Sequence, residues 1–135
     1  MNNVHPEKNA SDYIASKMTY FNKEHVDHSI SENDHRITLH KLVVVKDRRE
    51  VGYGSDFMKH LTDYADLTGK RVELSPSTDF GATSKARLVK FYKGHGFVEN
   101  KGRNKDFSIS NTMYRHPDKS VNESIQSTFR KMIEG

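Results

Sequence analysis

Cysteine is absent from all 135 residues. That removes disulfides, thiolate nucleophiles and thiolate zinc sites together. Long apolar runs are missing too. No stretch could span a bilayer, and the opening MNNVHPEKNASD lacks the apolar block of a signal peptide. There is no internal repeat, no low-complexity tract, and no G-x-x-x-x-G-K-[ST] phosphate loop. His25 and His28 have a spacing a metal could use, but no third ligand stands near them in the chain, so no metal site is expected. Apolar residues make up only 33% and charged residues 30%, which implies a modest core under a well-solvated surface. The expectation is one cytoplasmic domain over residues 1–135, with no membrane partner.

What is there is a basic excess. The net charge is +4 and the pI about 9.2, which favours an anionic partner. Nucleic acid and a phosphate-bearing cofactor both qualify, and charge alone does not choose between them.

Periodicity supplies the elements. Ser11 caps a helix over residues 11–26 carrying Ile14, Met18 and Phe21, and the polar run that follows to His35 reads as a loop. RITLHKLVVVK, residues 36–46, is β-branched and continuously apolar at its end, the pattern of a strand buried on both faces. Phe57, Leu61, Tyr64, Ala65 and Leu67 form a helical stripe that stops at Gly69. RVELS is a short strand, Ser84 opens a further helix with Leu88, Val89, Phe91 and Tyr92, and GFVEN begins another strand. KGRN is read as a hairpin turn into KDFSISNTMYR. Ser120 and Glu123 have the spacing of a capping box before an amphipathic C-terminal helix, which either packs on the domain or offers a partner or dimer surface. The result is a mixed α/β fold.

The stretch RREVGYGSDF lies between a buried strand and a helix. A dinucleotide fingerprint fails there, because Phe57 stands where the third glycine belongs and four charged residues separate strand from turn. The fit is to [RQ]-x-x-G-x-[GA], met by Arg49, Gly52 and Gly54, with Tyr53 and Ser55 filling in. Residues without Cβ let backbone N–H groups converge on a pyrophosphate, the next helix adds its positive end, and Arg48 and Arg49 add charged donors.

A second motif follows, FYKGHGF at residues 91–97. Together the two resemble the GCN5-related N-acetyltransferase family, GNAT, over residues 39–115 including the closing SNTMYR. The resemblance implies a GNAT-like acyl-CoA N-acyltransferase fold: a mixed sheet in an α/β core at 36–116, a shortened N-terminal portion at 1–35, and an extra helix at 117–135. It implies acetyl transfer from acetyl-CoA, a cosubstrate, to a primary amine on a small molecule or protein, without metal. Arg48, Arg49, Gly52, Tyr53, Gly54 and Ser55 would hold the pyrophosphate, and the strand N–H groups of Val43, Val44 and Val45 the thioester. The position often held by Asn in the family falls on Ser84 or Lys85, and Ser84 would take its role or act as a plain N-cap.

Tyr92 is the implied general acid, a phenol protonated at neutral pH and able to pass its proton to the departing sulfur. Glu73, mid-strand, is the candidate base, with His40 or water as alternatives. Lys85, Arg87, Lys90, Lys93, Lys101, Arg103 and Lys105 are either a solvated face or contacts to a CoA phosphate or an acidic acceptor. The alternative to an enzyme is a non-catalytic binding module that keeps CoA, or only the basic face, and docks to protein or nucleic acid.

Overall fold

A computed structural model describes residues 9–44, 52–78 and 84–118. Val45, Arg48, Arg49 and the C-terminal helix, with any dimer surface on it, lie outside the described residues. The chain opens with α1 (Ala10–Lys17), capped by Asn9, whose Oδ1 accepts from the N–H of Asp12 at 2.8 Å. Ser11 is therefore inside the first turn and is not the cap. The single helix expected over 11–26 is two. Thr19 interrupts it, its hydroxyl accepting from the N–H of Asn22, and opens the short α2 (Tyr20–Glu24). A side chain that can cap its own downstream turn offers the backbone an exit from the helix.

The polar stretch read as a loop is a strand, β1 (Val26–Glu32). Its residues alternate half-buried and exposed, with Val26, His28, Ile30 and Glu32 turned inward. Two of those four are polar, which hid the period-2 pattern. Asn33 makes the turn, its Oδ1 accepting from the N–H groups of His35 and Arg36. The chain returns antiparallel as β2 (Arg36–Val44).

From β2 the chain crosses through α3 (Tyr53–Thr68) to β3 (Arg71–Leu74), which lies parallel to β2. Gly69, at φ +69°, ends α3 in the left-handed region. α3 buries Phe57, Met58, Leu61, Tyr64 and Ala65 against Ile37 and Leu39 of β2 and Val72 and Leu74 of β3, while Ala10, Ile14 and Met18 of α1 join the same core. Leu67, expected in the stripe, is exposed instead.

Next come α4 (Lys85–Lys93), β4 (Val98–Glu99) and β5 (Met113–Arg115). The sheet order is β1-β2-β3-β5-β4, with β5 antiparallel to both neighbours. The expected KGRN hairpin is a 3-10 turn at Gly102–Asn104 that leads into a folded loop, and only three residues of KDFSISNTMYR pair as strand. Asn100 is the reason. Its buried amide donates to the carbonyls of Asp106, Ile109 and Asn111, and its Oδ1 accepts from the N–H of Asp106. Those bonds satisfy the loop backbone locally and leave no ladder for it to join. Arg115, the base closing SNTMYR, forms a bidentate pair with Asp66 of α3 at 2.8 and 3.1 Å, tying the last strand to the central helix.

Candidate active site

The site begins where two strands part. The β2–β3 ladder runs from Arg36↔Arg71 to Leu39↔Leu74 and stops, while β2 continues to Val44 alongside β1. At that point the β1–β2 register shifts, with Ser29 opposite Lys41 but Ile30 opposite Leu39, so His40 is the extra residue of a bulge. A bulge bends its strand and steepens the local twist. Leu42, Val43 and Val44 are accordingly half-buried, not enclosed on both faces as the apolar run suggested. They flank the opening between β2 and β3.

α3 starts beside this opening. Gly52 stands at φ +86°, a conformation that strains any residue bearing a Cβ. The first bond of α3 runs from the N–H of Asp56 to the carbonyl of Gly52, so the N–H groups of Gly54 and Ser55 have no partner within the helix. Gly54 serves a different purpose. A Cβ placed there would lie 3.4 Å from Val44 Cγ2 and 3.5 Å from Phe91 Cζ. The end of β2, the start of α3 and the helix of the second motif thus meet around one bare Cα.

Tyr53 is buried, its ring stacked on His25 at 5.1 Å and 13°, so any role at the turn falls to its backbone. Ser55 is exposed. The Asp56 carboxylate is taken up by Asn22 of α2 and His60 one turn on.

On α4, Ser84 is the N-cap, accepting from the N–H of Arg87 at 3.1 Å, and Lys85 is exposed. Phe91 stands edge-on to both Tyr92 and His95. Tyr92 is buried, and its carbonyl closes the end of the helix by accepting from the N–H groups of His95 and Phe97. Burial alone pushes its phenol up to about 12. Among the described residues its hydroxyl makes no hydrogen bond. The ring is packed edge-on to Phe91 and Phe97.

Glu73 is only 1% exposed and faces away from Val72 and Leu74. Its Oε2 accepts from Arg71 Nε at 2.6 Å, with Arg36 Nη1 at 3.8 Å, and its Oε1 accepts from Asn111 Nδ2 at 3.2 Å. Oε1, which accepts one bond, keeps a second lone pair with which it could meet a water or an amine. His40, the other candidate, is exposed at the bulge with its Nε2 2.6 Å from Ser31 Oγ. Among the described residues no His, Asp or Glu cluster could hold a metal ion, and no helix is long and apolar enough to cross a membrane. Asn111, and the Asn100 that arranges its loop, were not singled out from the sequence. Nothing in a lone Asn marks a side chain bonded to residues many positions away.

No family model matches the chain, and no curated protein does. Among solved structures, the anti-CRISPR protein AcrVA5 superposes with a TM-score of 0.53 at 20% identity, covering 67% of this chain and 90% of that one. The fold is that of the GNAT acyltransferases. Two further GNAT-fold structures are more distant in shape. Ard1 from Thermoplasma volcanium gives a TM-score of 0.47 at 24% identity, over 68% of this chain and 61% of its own. Arabidopsis thaliana Naa50, solved with the bisubstrate analogue CoA-Ac-MVNAL, gives 0.44 at 19% identity, over 66% of this chain and 59% of its own. The present chain thus spans about three fifths of each of those two.

Proposed function

We propose that this protein transfers an acetyl group from acetyl-CoA to a primary amine on a small molecule or a protein. The observation that carries the reading is the meeting of Val44, Gly54 and Phe91, which sets the strand end, the glycine turn and the second-motif helix around one opening. The GNAT fold supports the general reaction, and the assignment of individual residues is our own.

Acetyl-CoA supplies the activated thioester. The left-handed turn at Gly52 and the N–H groups of Gly54 and Ser55 take its diphosphate, with the backbone of Tyr53 and the guanidinium groups of Arg48 and Arg49 around them. The β3-facing edge of Val43 and Val44, past the end of the β2–β3 ladder, takes the thioester arm, and Val45 is assigned with them from the sequence motif alone. Ser84 and Lys85, at the start of α4, are assigned to the cofactor by the second motif's place in the sequence.

Tyr92 is the proton donor to sulfur. A phenol at about 12 stays protonated throughout the neutral range. Full transfer to a thiolate of ordinary pKa, about 8.5, would be uphill. The burial that raises the phenol would raise a thiolate held beside it as well, since both anions lose hydration there. Donation therefore proceeds as charge builds on sulfur, beginning as a hydrogen bond and ending as a proton. Glu73 takes the amine proton through a water at Oε1.

Calorimetry with acetyl-CoA, followed by CoA release across a panel of amines, tests the reading. Binding at micromolar concentrations with turnover on at least one amine is expected. No heat at millimolar CoA or acetyl-CoA would refute the cofactor site. Binding without release on any amine would leave a CoA-holding scaffold in place of an enzyme.

A further inference from the structure

Phe107 is 90% exposed, far more than any other large hydrophobic side chain among the described residues. A lone exposed ring is ordinary on a mobile tip, where it can fold back on the surface. This one is held out. Asp106, before it, is fixed through its N–H and carbonyl by Asn100. Ser108, after it, donates from both N–H and hydroxyl to the Asp106 carboxylate. Ile109 is buried beneath, and the Tyr114 hydroxyl donates to the Asn104 carbonyl on the other arm of the loop.

Cations outnumber carboxylates in the segment that carries the ring, with Lys101, Arg103 and Lys105 against Asp106. Lys105 Nζ stands 5.3 Å from the ring centroid, and Lys101, Arg103 and Lys105 are all exposed. The nearby acids are used internally: Asp106 by Ser108, and Glu99 by Lys93 at 3.0 Å and Lys101 at 3.5 Å. Arg103 and Lys105 are thus exposed cations in the same loop as a ring whose flanking backbone is fixed on both sides.

We propose that this loop is a docking site for single-stranded nucleic acid, with a base stacked on Phe107 and the flanking phosphates met by Arg103 and Lys105. Lys105 covers one face of the ring, which leaves one flat face, and a flat face suits a nucleobase without any pocket. The site tolerates any sequence, because each base has a π-face to offer. It does not depend on the acetyl-transfer reading.

Fluorescence anisotropy with labelled dT15 and U15 between 50 and 200 mM NaCl tests the proposal. Two phosphate contacts predict a slope of log K against log salt of about −1.4, and Arg103→Ala should reduce it by roughly 0.7. Phe107→Ala should weaken binding about tenfold at fixed salt with the slope kept, and Phe107→Trp should restore it. Because Phe107 lies outside the core, both variants should melt with the wild type. Binding of either strand type with this Phe107 dependence supports the site. Three results overturn it: no binding, equal affinity for wild type and Phe107→Ala, or displacement of the oligonucleotide by polyglutamate at matched charge. The last would mark the surface for acidic proteins instead.

Discussion

Two alanine substitutions only two residues apart should move stability in opposite directions. Gly52→Ala places a Cβ at φ +86°, where open space surrounds it but the backbone itself is unfavourable for an L-residue. The cost is about 1–2 kcal/mol. Gly54→Ala places a Cβ on a helical backbone at 3.4 Å from Val44 and 3.5 Å from Phe91, ordinary contact distances that need no adjustment. There the gain is a few tenths of a kcal/mol, part of the ~1 kcal/mol by which alanine exceeds glycine within helices. For a domain of this size one kcal/mol corresponds to roughly 3–5 °C, so Gly52→Ala should lower Tm by about 4–8 °C and Gly54→Ala raise it by about 1–2 °C. Differential scanning calorimetry without ligand measures both. Repeating the scans with acetyl-CoA should show a reduced ligand-induced rise for Gly52→Ala, whose turn no longer has its shape. The reasoning fails if Gly52→Ala melts with the wild type, or if Gly54→Ala is the less stable of the pair. Either result would mean that the turn is not where the backbone constraint resides.

Tyr92→Phe should lower kcat by on the order of 10²-fold with little change in acetyl-CoA affinity, a split that steady-state kinetics and calorimetry read together. Burial works to raise the Glu32 carboxyl, but hydrogen bonds from Lys70, Tyr64 and the Ala10 N–H prevail and hold it below its ordinary value. Its contribution is therefore full above that ordinary value and lost as the pH falls through the lower, folded one. Glu32→Gln should flatten the acid limb of a Tm-versus-pH curve, and an unchanged limb would count against it. Asp66→Ala leaves Arg115 without its bidentate partner and should cost about 3 kcal/mol in urea unfolding, with Asp66→Asn recovering only part.

Much of this was legible in the chain, for reasons that differ by residue. Gly52 and the FYKGHGF segment could be read because each meets a local backbone need, a left-handed turn or a helix end, that few residue types satisfy, and Gly54 because it stands one residue on where the chain passes close to Val44 and Phe91. α3 could be read because its stripe is long and nearly all of it is buried. β1 could not, since two of its inward positions, His28 and Glu32, are polar. His28 packs against the Phe57 ring and Glu32 finds partners on α3 and just before β3. The loop after Asn100 was misread as a hairpin because its bonds come from a side chain, and no strand pattern records that. Glu73 was legible as a mid-strand residue, yet its two close partners, Arg71 and Asn111, come one from its own strand and one from 38 residues away. Only the first was visible in sequence.

Glu32 carries one further consequence. Its two oxygens accept from Ala10 at the start of α1, Tyr64 on α3 and Lys70 before β3, partners 22, 32 and 38 residues distant. One carboxylate therefore ties the amino-terminal hairpin to the first helix and to both ends of the segment joining α3 to β3. In native-state hydrogen exchange, the amides of the first helix and first strand should open together, ahead of those beneath Phe57.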